Sequence, residues 1–426
     1  MKQIRAVIIG YGDRGSIYSS YSLINPDRLK IVGVVDKNPH RLNLAKERLG
    51  LNDDVLFDDI SKCLSSDLDV DLYINSTMDQ FHYEILKQVV TTGKSVLTEK
   101  PIVNNKAELL EIEDLANKYH TQVFVGHVLR YTPFYHKTKE LILNGEIGEI
   151  CSMELAEHVG SAHYAGSFIR GRWKSEKECG STMLLAKSCH DTDIMCWLNN
   201  STEPVSVSSY GGRFHFIEKN APKGATEFCY QCPHEKECYY SAIKLYYESN
   251  YSAELTYVKL NKKVITNEDK MNFLKSDDFG RCVYKMPNAD MIDRQVMITE
   301  FKNGSVASFT LVGGTPEANR TISIIGTEGE IEGKFEDGII KLKKNKFNSV
   351  IPVETTIDVN KEASTYSSVG GHNGGDYKIM DSIIDFLNGD KSIVTITKLS
   401  DSINGHLCVF AADESRLKNK KIAITR

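Results

Sequence analysis

Gly10-Tyr11-Gly12-Asp13-Arg14-Gly15 follows a short apolar run, Ile4–Ile9, and precedes a stretch of helical periodicity. A glycine-rich turn between a strand and a helix is suited to holding a pyrophosphate. Gly10 permits the tight turn, Gly12 lets the backbone approach the phosphates, and Gly15 lets helix and strand pack closely. Unpaired N–H groups at the helix start then face the anion. Asp13 and Arg14 complete the cofactor-side turn. Asp36 ends the next apolar run, 21 positions after Gly15. A carboxylate there accepts hydrogen bonds from the adenosine ribose and repels a 2′-phosphate, which predicts NAD in preference to NADP.

Glu99-Lys100-Pro101 follows the run Ser95–Leu97. A lysine just past the C-terminal end of a parallel strand faces the crevice where open α/β sheets bind ligands. Taken alone, the tripeptide is equally a solvated lysine in a loop. Cys229, Cys232 and Cys238 lie within ten residues. The first pair has metal-ligand spacing, so the triplet predicts a structural zinc site if a fourth ligand comes from elsewhere. Cys282, His215 and His234 are candidates for it, and unligated thiols are the alternative. Cys189 adjoins His190, but helix neighbours point in different directions, which argues against a Cys/His nucleophile.

These residues need elements to hold them. Short β-rich runs (Ile4–Ile9, Ile31–Asp36, Leu72–Asn75, Ser95–Leu97, Gln122–Val125) alternate with helical stretches such as Pro39–Leu49 and Asn105–Tyr119. That alternation predicts βαβ units and a parallel, Rossmann-type sheet over residues 1–126. Beyond Gly126 the rhythm changes. Pro133–Asn144 and Thr182–Leu198 read as helices and Glu149–Glu157 as a strand. From Val205 to about Lys344 the apolar runs lengthen, with Asn303-Gly304 as a hairpin turn. Thr397–Leu417 reads as a closing helix. Residues 127–426 are thus expected to form a second α/β domain on a large, open, mostly antiparallel sheet, with a cysteine-rich insertion at about 215–285.

The 426 residues suffice for two or three domains. Hydrophobic residues make up 41% and charged residues 26%, as in ordinary globular enzymes. Lys+Arg 52 against Asp+Glu 57 leaves a net charge of −5, which gives no reason to expect nucleic acid or an anionic membrane. No apolar run approaches the roughly 18 residues of a membrane span. The N-terminal apolar run is too short for a signal peptide. Ten cysteines are too few for a disulfide scaffold of this length. The expectation is a cytoplasmic protein with reduced thiols.

GYGDRG, STMDQFH (76–82), EKP (99–101) and the pair His190-Asp191 occur in this order. In this the chain resembles, over essentially its whole length, the Gfo/Idh/MocA family of NAD(P)-dependent sugar and cyclitol oxidoreductases. The resemblance implies a Rossmann domain followed by an α/β domain whose open sheet faces the nicotinamide. It implies that Lys100 binds and polarises the substrate hydroxyl beside the nicotinamide, and that Thr77, His82, Glu99 and Lys100 lie at the cofactor. Leu184–Trp197 matches the family's catalytic helix, where an Asp usually stands four residues before a His. His190 keeps the His, but Ala186 replaces the Asp, and Lys187 stands next to it. Residues 187 and 190 share a helix face. An ammonium there disfavours a protonated His, where the Asp would favour it. His190 is therefore the proton-transfer candidate, Lys187 a second catalytic candidate, and the Asp role is vacant.

One branch of the family has a His, an Arg-Gly and a Trp before a KSCHD helix, and a glycine-rich His loop. That likeness marks His163, Arg170, Trp173 and His372 as substrate contacts, with packed or flexible loops as the alternative. It also pairs the cysteine triplet with Cys282. The implied activity is NAD-dependent hydride transfer from a hydroxyl of a sugar, sugar derivative or cyclitol. Some relatives are NAD-dependent glycoside hydrolases that oxidise a ring hydroxyl transiently and eliminate the glycoside; this is the alternative. Lys100 and His190 speak against a non-catalytic NAD-binding regulator. A homo-oligomer, dimer or tetramer, is expected, with the open sheet as its natural interface.

Overall fold

A computed structural model describes residues 2–262, 264–362 and 374–426. Six strands form the first sheet: β1 (Ile4–Ile9), β2 (Leu29–Val35), β3 (Leu56–Phe57), β4 (Leu72–Asn75), β5 (Ser95–Thr98) and β6 (Val123–Val125). Their order is β3-β2-β1-β4-β5-β6, and every pairing is parallel. Helices cover both faces, so the strands are continuous apolar runs rather than alternating ones. Ala6 and Ile8 enter one core cluster and Val7 and Ile9 the other. Strand order reverses between β1 and β4, and the crevice beyond the carboxyl ends of such strands is where ligands bind.

The second sheet has nine strands: β7 (Ile150–Gly160), β8 (Pro204–Gly212), β9 (Arg294–Phe301), β10 (Val306–Thr315), β11 (Asn319–Gly326), β12 (Gly329–Lys334), β13 (Ile339–Lys344), β14 (Val353–Asp358) and β15 (Ile422–Ala423). The order is β14-β13-β12-β11-β7-β10-β9-β8-β15. Only β7 and β10 run parallel; the other pairs are antiparallel. The β9–β10 hairpin turns at Asn303-Gly304, where Gly304 takes φ +90°. Along β9, Met297 and Phe301 are buried while Val296 and Ile298 are exposed, so this sheet buries one face and leaves the other open.

The helix Met183–Leu198 lies against the buried face, capped by the Thr182 hydroxyl, which accepts from the Leu185 N–H at 3.2 Å. All its residues but Lys187 are buried, which suits a helix apolar on most sides. The end of the chain returns to the first sheet. Tyr377, Ile379, Met380 and Ile383 of the helix Gly375–Leu387 complete one of its cores, and Leu399, Ile403 and Leu407 of the helix Leu399–Lys418 complete the other. The cysteine-bearing segment between β8 and β9 forms short helices around a small core of its own, including Tyr246, Tyr257, Phe273 and Leu274.

Candidate active site

The glycine turn follows β1. Gly10 takes φ +88°, and a Cβ there would stand 2.9 Å from the Ser76 carbonyl oxygen. A Cβ on Gly15 would stand 2.1 Å from the Gly10 carbonyl oxygen. Both positions exclude side chains by packing. Gly12 differs: a Cβ there would meet only Arg41 Nη1, at 3.9 Å. The open space at Gly12 adjoins the start of the helix Asp13–Ile24, which has no side-chain cap. An uncapped helix start beside bare backbone fits a dinucleotide pyrophosphate. Asp36, just past β2 and 8% exposed, accepts from the backbone N–H groups of Tyr11 (2.7 Å) and Asn38 (2.8 Å). It therefore fixes the turn itself, with Arg41 3.7 Å away.

Arg14 turns from the phosphate side toward the EKP loop. Its Nε donates to Glu99 Oε1 at 2.7 Å, and its Nη2 pairs with Asp376 at 2.9 Å. Tyr18 donates to the same Glu99 oxygen. Burial opposes ionisation of Glu99, but the charges of Arg14 and Lys100 and these hydrogen bonds outweigh it and hold the carboxyl below its usual range. Glu99 Oε2 accepts the Lys100 backbone N–H at 3.1 Å. The Lys100 ammonium then crosses to the second domain's helix, donating to the Ala186 carbonyl at 2.8 Å. Thr77 Oγ1 donates to Asn75 Oδ1 at 2.8 Å. His82 presents its ring nitrogens to the Thr77 and Pro101 carbonyls, at 3.1 and 2.6 Å, which ties that loop to the EKP loop.

His190 lies one turn after Ala186 on the same helix, 7% exposed, its ring edge-on to that of His127 at 5.5 Å. Lys187 is engaged elsewhere: its ammonium pairs with Glu157 Oε1 at 3.1 Å. Glu157 Oε2 meets Arg320 Nε at 2.6 Å, and that nitrogen also reaches Asp191 at 2.8 Å. Burial lowers the proton affinity of Lys187, with Glu157 opposing. Burial pushes the Asp191 carboxyl up to about 6, against the pull of Arg320.

The loop after β7 divides the proposed substrate contacts. Trp173 donates to Asp79 Oδ2 at 3.0 Å, and Ser181 donates to the same oxygen at 2.8 Å. Asp79 belongs to the STMDQFH loop, so one buried carboxylate latches the second domain onto the cofactor side. His163 stacks on Phe168 at 5.9 Å. Arg170 does not join them. It is 2% exposed, and its guanidinium donates to the carbonyls of Arg281 (2.8 Å) and Tyr240 (2.6 Å), so it serves the insertion. His372 lies outside the described residues. Asp79, Asp376, the Glu157–Arg320 pair and His127 join the site beyond the residues that the sequence motifs mark. Only His127 carried a usable signal, its place just beyond the end of β6.

Cys229, Cys232, Cys238 and Cys282 line one small cavity together with His234 and Arg170. The expected zinc finds no support there. Among the described residues, no group of three or more His, Cys, Asp or Glu is arranged to hold a metal. Cys229 Sγ instead faces the Arg170 guanidinium at 3.6 Å and the Arg281 carbonyl at 3.6 Å. Burial raises the Cys238 and Cys282 thiols.

Residues 4–127 match a family model described as the oxidoreductase family, NAD-binding Rossmann fold, and residues 139–424 match its C-terminal alpha/beta domain. With that fold and cofactor turn, the chain is an NAD(P)-dependent oxidoreductase acting on hydroxyl groups. More particularly, it belongs to the Gfo/Idh/MocA family. It is 22% identical over 372 residues to the putative oxidoreductase YteT of Bacillus subtilis, covering 85% of this chain and 83% of that one. It is 25% identical over 194 residues to an inositol 2-dehydrogenase/D-chiro-inositol 3-dehydrogenase of Lactiplantibacillus plantarum, 45% of this chain and 51% of that protein. A levoglucosan dehydrogenase solved with NADH and levoglucosan shares the fold, with a TM-score of 0.71 at 16% identity and 100% of each chain covered. No helix among the described residues is long and apolar enough to cross a membrane.

Proposed function

We propose that the protein transfers hydride between a carbinol carbon of a sugar, sugar derivative or cyclitol and NAD, with Lys100 and His190 handling the hydroxyl proton. The observation that carries this reading is the Lys100 ammonium held 2.8 Å from the Ala186 carbonyl, one turn before His190. Bound NAD would lie along the glycine turn and Asp36 and supply the hydride acceptor. The chain's own residues do the rest. Lys100 donates a hydrogen bond to the reacting oxygen, and His190 takes or returns its proton. Glu99 and Arg14 set the lysine's backbone, and Asp79 closes the second domain over the crevice. Trp173 and His163 offer flat faces and polar edges that suit a carbohydrate. Asp36 favours NAD over NADP. The relatives named for inositol and levoglucosan support polyhydroxylated substrates.

In this reading residues 1–126 carry the cofactor and 127–426 the substrate. The protein is cytoplasmic and assembles into a dimer or tetramer through the open sheet. Ala186 in place of the family's Asp favours one second reading, the NAD-dependent glycoside hydrolase. A sugar and cyclitol panel with NAD separates the two. The dehydrogenase accumulates NADH, whereas the hydrolase releases phenol from aryl glycosides, retains NAD on purification and accumulates no NADH.

A further inference from the structure

Behind Lys100 and His190 lies a row of imidazoles that the reaction as written does not use. His127 follows β6 by two residues and has no exposed surface. Its ring stands 5.5 Å from that of His190, at 74°, and 5.5 Å from that of His406, at 56°. His406 is anchored to the EKP loop: its Nε2 accepts the Ile102 N–H at 2.9 Å. That bond places the His406 proton on Nδ1. The row His406–His127–His190 therefore joins the loop that carries Lys100 to the helix that carries the proton-transfer candidate.

Neither ring nitrogen of His127 has a hydrogen-bond partner among the described residues. The Asp193 carboxylate stands 3.8 Å from Nε2, but it is committed to Arg130, whose Nε donates to it at 2.6 Å. The groups that act on His127 are Arg130, Asp193, Glu99, Lys100, His190 and His406. Burial first, then Arg130 and Lys100, keep the ring uncharged, with Glu99 opposing. A buried polar ring with no partner costs stability, and a phenylalanine of the same shape would avoid that cost. Such a group beside a reaction centre points to a role for its nitrogens.

We propose that His127 is a positioning residue for the proton-transfer centre: its uncharged imidazole braces His190 and offers a nitrogen lone pair when His190 takes up a proton. His127 stabilises the protonated form of His190 and so keeps a proton available beside Lys100. This rests on the assignment of His190 above, but its test does not depend on turnover.

The protein is labelled with ¹³C,¹⁵N-histidine, loaded with NAD and titrated by NMR, the His190 signal being assigned by its loss in His190→Gln. In the wild type, the His127 nitrogen resonances should shift with the His190 midpoint. In His127→Phe, the His190 midpoint should fall by roughly half a unit or more, about a threefold loss of proton affinity. The melting temperature should hold or rise. His127→Gln, which restores a polar partner, should recover part of the midpoint shift. An unchanged His190 midpoint in His127→Phe overturns the proposal and leaves the dehydrogenase reading intact. If that variant does not fold, His127 nitrogens that ignore the wild-type His190 titration overturn it equally.

Discussion

The Lys100 ammonium donates to the backbone carbonyl of Ala186 at 2.8 Å, at the helix position where the family's Asp would stand. A backbone carbonyl cannot carry or release a proton, so it holds Lys100 in place without sharing the chemistry. In the proposed mechanism the proton work on that helix falls to His190.

We propose that Lys187, named with it as a catalytic candidate, is not an equal partner. Its ammonium is held by Glu157, 3.1 Å away, and Arg320 remains to satisfy that carboxylate if Lys187 is removed. Lys187→Met should lower turnover well short of the roughly 10²–10⁴-fold expected for an acid/base group. Steady-state kinetics of Lys187→Met beside His190→Ala decides it; equal losses would give Lys187 a proton-transfer role.

How much of this was legible in the sequence follows from how local each cause is. The glycine turn and Asp36 could be read because a tight turn and a carboxylate at a strand end are requirements of a few neighbouring residues. The open sheet could be read from alternation and a hairpin turn. Arg170 could not: its residue type suits a sugar, but its surroundings come from Tyr240 and Arg281, some 70 and 111 positions away. The cysteines do gather around one cavity, as their spacing suggested, but spacing says nothing of the arginine that shares it. Asp79 takes its importance from Trp173 and Ser181 on another element, which no local pattern reveals.

The last two glycines of the turn, Gly12 and Gly15, should separate fold from cofactor. Gly15→Ala puts a Cβ against the Gly10 carbonyl oxygen, a backbone atom that cannot step aside, and should lower the melting temperature. Gly12→Val points into open space, so the variant should melt near the wild type and lose NAD binding. Thermal melts and NAD titrations of both variants check this; a Gly12→Val protein that still binds NAD tightly would move the cofactor elsewhere.

Asp36→Arg should weaken NAD binding and strengthen NADP binding, because it would remove the proposed ribose acceptor and add a second guanidinium beside Arg41. Calorimetric titration with both cofactors measures it. Tighter NADP than NAD binding in the wild type would contradict the assignment.

Acid should destabilise the fold partly through His406. Burial lowers its proton affinity from the ordinary 6.5 to about 3. The depressed value means that the unfolded chain takes up the proton first. Its contribution to stability is therefore present above about 6.5 and is lost as the pH falls toward about 3. His406→Gln keeps an acceptor for the Ile102 N–H and does not titrate. Denaturant unfolding across that range should show a shallower acid loss for His406→Gln; a parallel curve would contradict this.

The proposed reaction is hydride transfer from a hydroxyl-bearing carbon with Lys100 on the oxygen. The most direct measurement is nicotinamide reduction by wild-type and Lys100→Ala protein with NAD, on sugars and cyclitols deuterated at the carbinol carbon. The wild type on the true substrate should yield deuterated NADH. Turnover should be lower by roughly 10²–10⁴-fold in Lys100→Ala, with NAD binding unchanged. Near-wild-type turnover in Lys100→Ala on that substrate would contradict it.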